Sequence, residues 1–326
     1  MDKVRQALDR AREERRLEAG DTTGAQHAAL PRVFVGEQGR ATVAIAAPQA
    51  ALAPVDVLES EVGRATVATA ALQTNPPPVL DREVGPPTVA TEALARPFDT
   101  GPEWLEKHRV LQAEDRSDAG QAFRMLRTQV LQRMQENGWQ TLGIVSARSL
   151  DGKTTVAANL AIAIASDPRY TAVLVDLDLQ RPAVGTVFGA SAEGGVDDVL
   201  RERATVDAVL LRPHGIDGLR LLPVLQPSST RTSALVARPA CAALIAELKS
   251  RYANRIIVID MPPVLDNDDA LTLAPLCDCL LFVVSEGRTA RTDVTRALGL
   301  LRARPILGTV LNNSSATQPT PAGRMA

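Results

Sequence analysis

The stretch that decides the fold is ARSLDGKTTVAANLAIAIA, residues 147–165. It follows an apolar run, TLGIVS at residues 141–146, which predicts a buried strand. It continues into an alanine-rich apolar segment that predicts a helix beginning near Lys153. Between the two lies a short polar loop that ends in Gly152, Lys153 and Thr154. A strand, a loop and a helix in this order form the setting in which phosphate-binding loops occur.

The loop matches the P-loop pattern G-x-x-x-x-G-K-[ST], except that Ala147 replaces the first glycine. Backbone N–H groups of such a loop and of the helix N-terminus point into one concavity and favour an anion there. Gly152 lets the backbone approach the phosphates, Lys153 neutralises the β and γ oxygens, and Thr154 offers a hydroxyl to Mg²⁺. The alternative is that these residues are only the polar start of a buried helix. The loop residues that the pattern assigns to nucleotide binding are Ala147, Arg148, Leu150, Asp151, Gly152, Lys153, Thr154 and Thr155.

Three aspartates follow other apolar runs, at the point where each predicted strand ends. VLVDLDLQRP contains Asp176 and Asp178, and RIIVIDMPP contains Asp260. Open α/β sheets bind their ligands at the carboxyl ends of the strands. Strand alternation predicts that Asp176 and Asp178 point to the same side, and Asp260 takes the position of a Mg²⁺-linked carboxylate. A buried structural aspartate is the alternative for each. Together with the loop they predict a Mg·ATP site with catalytic Lys153, Asp176, Asp178 and Asp260, and with Thr154, Asp176 and Asp260 at the metal.

The rest of the C-terminal two thirds alternates apolar runs with helical patterns. Ser117 or Asp118 can cap a helix that spans residues 117–136. Buried strands separated by helices predict an α/β fold, a P-loop domain at residues 104–316 with a mostly parallel twisted sheet covered by helices. A disordered tail is expected at residues 317–326. The predicted strands are residues 141–147, 172–178, 219–224, 255–263, 279–286 and 307–313.

The N-terminal third has a different composition. Residues 1–18 predict a short helix, either a marginal solvated one or a docking helix for a partner. Residues 19–103 form an Ala/Pro-rich segment with degenerate repeats, such as GRATVAIAA at residues 39–47 and GRATVATAA at residues 63–71. These repeats supply only small side chains, which cannot bury enough area to offset the entropy of ordering. We therefore expect a disordered, protease-sensitive linker.

Composition limits the partners. The net charge of −2 gives no basic field for DNA or RNA, so nucleic acid is not expected as a partner. No apolar run approaches the roughly 18 residues of a membrane span, and the N-terminus lacks the apolar stretch of a signal peptide. The expected location is cytoplasmic, with any membrane role coming through a partner. The three cysteines are too few for a disulfide framework.

Several motifs taken together carry a family resemblance. AFRMLRTQV, the P-loop, VLVDLDLQRP, IDMPPVLDNDDAL and LGTVLNN, within residues 117–313, closely resemble the bacterial tyrosine kinases of capsule and exopolysaccharide synthesis. The resemblance implies ATP and Mg²⁺ as cofactors and a role in exopolysaccharide production. It also implies a membrane polysaccharide co-polymerase as partner, and thus a cytoplasmic protein held peripheral to the inner membrane.

The resemblance also implies roles for single residues. Asp176 is expected near the metal and the attacking hydroxyl, with Asp178 beside it and Asp260 behind the metal. Asn312 matches the asparagine expected to contact adenine, and Arg181 belongs to the most specific motif.

The resemblance further implies a homo-oligomer. Arg124 and Arg127 match the arginines of an E-x-x-R-x-x-R helix that makes subunit contacts, with Gln121 in place of the acid.

Two departures from the family pattern keep the function open. The tail lacks the tyrosine cluster of these kinases, since the chain contains only Tyr170 and Tyr252. The related partition and division ATPases carry a lysine where this chain has Arg148, which favours the polysaccharide branch. Three hypotheses stand: a protein-tyrosine kinase that acts on a partner, a nucleotide-switched regulatory ATPase, and a positioning ATPase of the partition or division kind.

Overall fold

The computed structural model describes residues 32–36, 95–112, 115–191, 194–225, 232–251 and 254–314, the first of these as backbone only. The predicted helix at residues 1–18, most of the predicted linker and the predicted tail lie outside these residues.

The described strands form one sheet with the order β1-β9-β8-β3-β7-β4-β6-β5-β2. Neighbouring strands are parallel except β5 and β6, which pair antiparallel. The predicted α/β fold with a mostly parallel sheet is therefore confirmed. The strands are β1 (Arg32–Gly36), β2 (Arg96–Phe98), β3 (Thr141–Ser146), β4 (Thr171–Asp176), β5 (Leu211–Pro213), β6 (Leu219–Leu222), β7 (Arg255–Asp260), β8 (Cys279–Ser285) and β9 (Ile306–Ser314).

The longest described helix confirms the prediction made for residues 117–136. It covers Asp118–Asn137, and the Ser117 hydroxyl caps it by accepting a hydrogen bond from the Gly120 N–H at 3.2 Å. The helices are α1 (Pro102–Lys107), α2 (Asp118–Asn137), α3 (Lys153–Ala165), α4 (Val184–Phe188), α5 (Val196–Leu200), α6 (Val206–Val209), α7 (Thr232–Val236), α8 (Pro239–Arg251), α9 (Asp269–Leu273) and α10 (Arg291–Leu300).

Helix α3 is buried along most of its length, which explains its composition. It packs against α2 on one side and against the central strands on the other, so its residues from Val156 to Ala165 are all buried. A helix that is apolar on every face is stable only inside a core. Strands β3 and β7 are buried along their whole length, because apolar layers cover both faces of the sheet. The P-loop is thus set between two of the most buried elements.

Three strands have no counterpart in the sequence prediction. Strands β2 and β5 have three residues each, which is too short to show a period. Strands β1 and β2 lie within residues 19–103, where the composition predicts a linker. For the remainder of that range the linker stays a prediction.

Candidate active site

The loop at residues 147–152 joins β3 to α3, and its last residue requires glycine. Gly152 has a φ of 91°, and a Cβ atom there would lie 1.9 Å from Asn312 Nδ2. Asn312 cannot move away freely, because its Nδ2 donates a hydrogen bond to the Asp151 carbonyl at 3.0 Å. Leu150 also has a positive φ, 67°, and its side chain is 72% exposed at the tip of the loop.

Asp151 shapes this loop from the inside. Its carboxylate accepts hydrogen bonds from the Arg148 N–H at 3.1 Å and from the Thr289 hydroxyl at 2.9 Å. The side chain is 1% exposed. The sequence assigns Asp151 to the nucleotide, but its carboxylate bonds to the protein itself and is therefore not available to a ligand.

A cavity of about 1020 Å³ lies over the loop and the first turn of α3. Eight of the residues predicted from sequence line it, whereas Ala147, Arg148, Asp151, Asp176 and Asp260 do not. The eight lining residues are Leu150, Gly152, Lys153, Thr154, Thr155, Asp178, Arg181 and Asn312.

Lys153 and Asp178 face each other in this cavity. Lys153 Nζ lies 4.0 Å from Asp178 Oδ2, and both residues are only 6% exposed. Burial raises the pKa of the Asp178 carboxyl above its ordinary value, although the charge of Lys153 opposes the shift. A carboxylate with a raised pKa beside a phosphate-binding lysine is suited to accept a proton from an attacking hydroxyl.

Asp176 has a different environment, although it is two residues away. Its carboxylate accepts hydrogen bonds from the backbone N–H groups of Asp178, Ala183 and Val184 at 3.0–3.1 Å. Burial and then the neighbouring Asp260 raise its pKa well above the ordinary value. Strand β4 ends at Asp176, so the premise that alternation carries both carboxylates to one side is wrong. Asp176 ties the loop after β4 to the start of α4.

Asp260 and Thr154 form the part of the site that fits a divalent cation. The Thr154 hydroxyl donates a hydrogen bond to Asp260 Oδ2 at 2.6 Å, and the buried Asp260 Oδ1 has no hydrogen-bond partner. Burial raises the pKa of Asp260 to about 6, against the effect of Lys153 and Thr154. An unpartnered buried carboxylate oxygen suits Mg²⁺ or a water molecule bound to it.

No group of three or more His, Cys, Asp or Glu residues able to hold a metal occurs in the part of the chain that the structure describes.

Charged residues at the rim of the cavity form a network around Asp266. Its carboxylate accepts hydrogen bonds from the N–H and the hydroxyl of Ser149 and lies 3.7 Å from Arg181 Nη1 and 3.5 Å from Arg148 Nη1. Arg148 also donates two hydrogen bonds to Asp293, at 3.0 and 3.2 Å. Arg148, which the sequence assigns to the nucleotide, therefore pairs outside the cavity.

The arginines predicted to make subunit contacts bond within their own chain. Arg124 Nη1 donates to the Asp115 carbonyl, and Arg127 Nη1 donates to the Ala163 carbonyl at 3.4 Å. A subunit contact through them stays a prediction.

Part of the cavity wall escapes sequence reasoning. Glu106, Arg109 and Gln112 line the cavity, together with Asn159 on α3. Residues 108–112 are irregular and carry no motif, so only the three-dimensional structure reveals this wall.

Comparisons with known proteins agree with this geometry. A family model described as "ParA: NUBPL iron-transfer P-loop NTPase" matches residues 139–325, more than half of the chain. The tyrosine-protein kinase YwqD of Bacillus subtilis (strain 168) is 24% identical over 227 residues, which cover 67% of this chain and 91% of YwqD.

A second relative is the succinoglycan biosynthesis transport protein ExoP of Rhizobium meliloti. It is 28% identical over 215 residues, 64% of this chain but only 27% of ExoP. The kinase domain of the Escherichia coli tyrosine kinase ETK has a similar structure, with a TM-score of 0.57 and 25% identity over 70% of this chain and 93% of that domain. The resemblance inferred from the sequence is thereby confirmed.

No helix in the described ranges is both long and apolar enough to cross a bilayer.

Proposed function

The chain belongs to this ParA family of P-loop NTPases, and on that premise we propose that it is a Mg·ATP-dependent protein-tyrosine kinase that regulates exopolysaccharide production. It is related to bacterial tyrosine kinases over most of its length. The observation that carries the proposal is the buried pair of Lys153 and Asp178, whose charged groups lie 4.0 Å apart in the wall of the cavity above the P-loop.

Each residue has one task in this proposal. Lys153 and the loop N–H groups would hold the β and γ phosphates, and Thr154 and Asp260 would hold the metal, which would supply charge neutralisation when bound. Asp178 accepts the proton of the acceptor hydroxyl. The bond between the acceptor oxygen and the γ phosphorus forms as the bond to the β–γ bridging oxygen breaks, and ADP leaves. The raised pKa of Asp178 increases its strength as a base.

The acceptor is a tyrosine of another protein. This chain has two tyrosines. Tyr170, directly before β4, is half-buried, and Tyr252 lies outside the described residues. A membrane polysaccharide co-polymerase is the partner that the family suggests, since a relative bears the name of a polysaccharide transport protein. Through that partner the protein would act at the cytoplasmic face of the inner membrane.

A regulatory ATPase that phosphorylates no protein is the second candidate. The observation that favours it is that the matching family model describes P-loop NTPases of the ParA family. In this case a water molecule replaces the tyrosine hydroxyl, and Asp178 accepts a proton from it. A positioning ATPase is less well supported, because Arg148 stands where the partition and division ATPases carry lysine.

One experiment separates these candidates. The full chain is incubated with radiolabelled ATP and Mg²⁺, alone and with its co-expressed co-polymerase, and Lys153→Ala serves as the inactive control. Phosphotyrosine on the partner supports the kinase, and hydrolysis without phosphotyrosine supports the regulatory ATPase. Equal activity of the wild type and Lys153→Ala would overturn both.

A further inference from the structure

One wall of the cavity comes from a segment that precedes the P-loop by about forty residues. We call residues 99–112 the strap. It crosses α4 and then α3, and Glu106, Arg109 and Gln112 from it line the cavity. The strap lies before residue 139, where the match to the family model begins. Neither the P-loop pattern nor that match accounts for it.

Asn159 clamps the strap onto the P-loop helix. Its Oδ1 accepts a hydrogen bond from the Leu111 N–H at 2.7 Å, and its Nδ2 donates one to the Arg109 carbonyl at 2.9 Å. The side chain is 2% exposed, so both ends of a buried amide are satisfied by the strap backbone. Arg109 has a φ of 57°, a conformation that is costly for a residue with a side chain. This clamp holds that conformation in place.

A second anchor holds the strap on α4. Trp104 Nε1 donates a hydrogen bond to the Thr186 carbonyl at 2.9 Å, and the Thr100 hydroxyl donates one to the Phe188 carbonyl at 2.7 Å. Helix α4 begins where Asp176 accepts the N–H of Val184. Hydrogen bonds therefore fix the strap to α3, which follows the P-loop, and to α4, which follows the segment that contains Asp176 and Asp178.

The position of the clamp indicates what the strap contacts. Asn159 lies six residues after Lys153, which is about 9 Å further along the helix axis. Lys153 is the residue that takes the β and γ phosphates, so the rest of the cavity, which both the strap and Asn312 line, is left for the remainder of the nucleotide. We infer that the strap is the wall against which the nucleoside part of ATP binds, and that Asn159 is its positioning residue. The inference rests on the proposed nucleotide site.

The test compares Mg·ADP with inorganic pyrophosphate as ligands of the full chain. Asn159→Leu keeps the shape of the side chain but removes both hydrogen bonds, and Ile164→Val on the same helix is the control for a change in the core. We expect roughly tenfold weaker binding of Mg·ADP by Asn159→Leu in calorimetry, with unchanged binding of Mg·pyrophosphate and unchanged ADP binding by Ile164→Val.

Trypsin reports on the strap without any nucleotide chemistry, because Lys107 and Arg109 are exposed cleavage sites. Asn159→Leu is expected to be cut there faster than the wild type, and Mg·ADP is expected to slow the cleavage of the wild type. Should Asn159→Leu fail to fold, Trp104→Ala removes the second anchor from the surface and is expected to weaken ADP binding about threefold without affecting pyrophosphate.

Two outcomes would overturn the inference while leaving the proposed function intact. In one, trypsin cuts the strap of Asn159→Leu faster than that of the wild type, but the two proteins bind Mg·ADP with the same affinity. In the other, pyrophosphate affinity falls as much as ADP affinity, which would mean that the variant disturbs the P-loop itself. Failure of the wild type to bind Mg·ADP would instead overturn the proposed function, and the strap inference with it.

Discussion

The motif residues of the site occupy two regions that differ in what their side chains contact. In the inner layer, formed by Asp151 and Asp176, the side chains bond mainly to backbone groups of the chain itself. In the cavity wall, Lys153 and Asp178 lie 4.0 Å apart and both line the open cavity. The inner layer fixes the shape of the loops, and the wall is available to a ligand. Membership in a motif therefore does not reveal which of these tasks a residue performs.

Asp176 and Asp178 show this difference most clearly. Their chemistry is the same and they lie two residues apart, yet only Asp178 lines the cavity. The cause is the end of β4 at Asp176, after which the chain turns and the alternation of a strand no longer applies. Variants at these two positions should therefore fail in different ways.

The largest effect is expected from Asp178→Asn. Asparagine keeps the acceptor for the Arg181 N–H but cannot take a proton, so the rate of ATP turnover should fall about a hundredfold. Nucleotide affinity and melting temperature should stay close to the wild type. Steady-state kinetics and calorimetry on the same preparation check this, and full turnover by the variant would remove Asp178 from the chemistry.

Asp176→Ala should lose stability rather than only activity. Its removal leaves three backbone N–H groups without their acceptor, two of them in buried hydrogen bonds, and relief of the repulsion from Asp260 offsets part of the cost. We expect the free energy of unfolding to fall by about 2 kcal/mol. Urea denaturation measures it, with Asp178→Ala as the matched control. Equal losses in both variants would mean that the two regions do not differ.

A smaller effect is expected from pH, through Asp260. Its pKa of about 6 in the folded chain lies above the ordinary value, so its protonation stabilises the fold at low pH and this contribution is lost as the pH rises through about 6. Between about pH 7 and pH 5 the ligand-free wild type should gain about 1 kcal/mol relative to Asp260→Asn. Thermal melts at both pH values measure this difference. Mg²⁺ binding should weaken as the pH falls from about 7 to about 5, because the metal needs the ionised carboxylate of Asp260. If the wild type and Asp260→Asn differed in stability by the same amount at both pH values, the raised pKa of Asp260 would be contradicted.

The smallest effect is expected at the rim. Arg148 pairs with Asp293 and Asp266 but is itself exposed, and exposed ion pairs contribute little. Arg148→Ala should change the free energy of unfolding by less than about 1 kcal/mol and leave nucleotide affinity unchanged. A large loss of affinity would place Arg148 in the cavity wall.

The sequence predicts the parts of this molecule that repeat a pattern. The central strands, the capped helix α2 and the P-loop all follow from periodicity and spacing, and the structure confirms them. The short strands β2 and β5 cannot be predicted, because three residues show no period. The strap and its clamp Asn159 also escape prediction, since they depend on a contact between residues 48 positions apart. The orientation of the Asp178 side chain likewise could not be predicted, because it depends on where β4 ends.

The central claim is that Lys153 binds the phosphates of a nucleotide in the cavity. Calorimetric titration of Mg·ADP into the full-length wild type and into Lys153→Ala tests this most directly, with melting temperature as the check on folding. We expect the wild type to bind Mg·ADP and Lys153→Ala to lose at least about a hundredfold in affinity while it still folds, because the variant lacks the buried positive charge that pairs with phosphate. Equal affinity in the two folded proteins would contradict the assignment of the cavity as a nucleotide site.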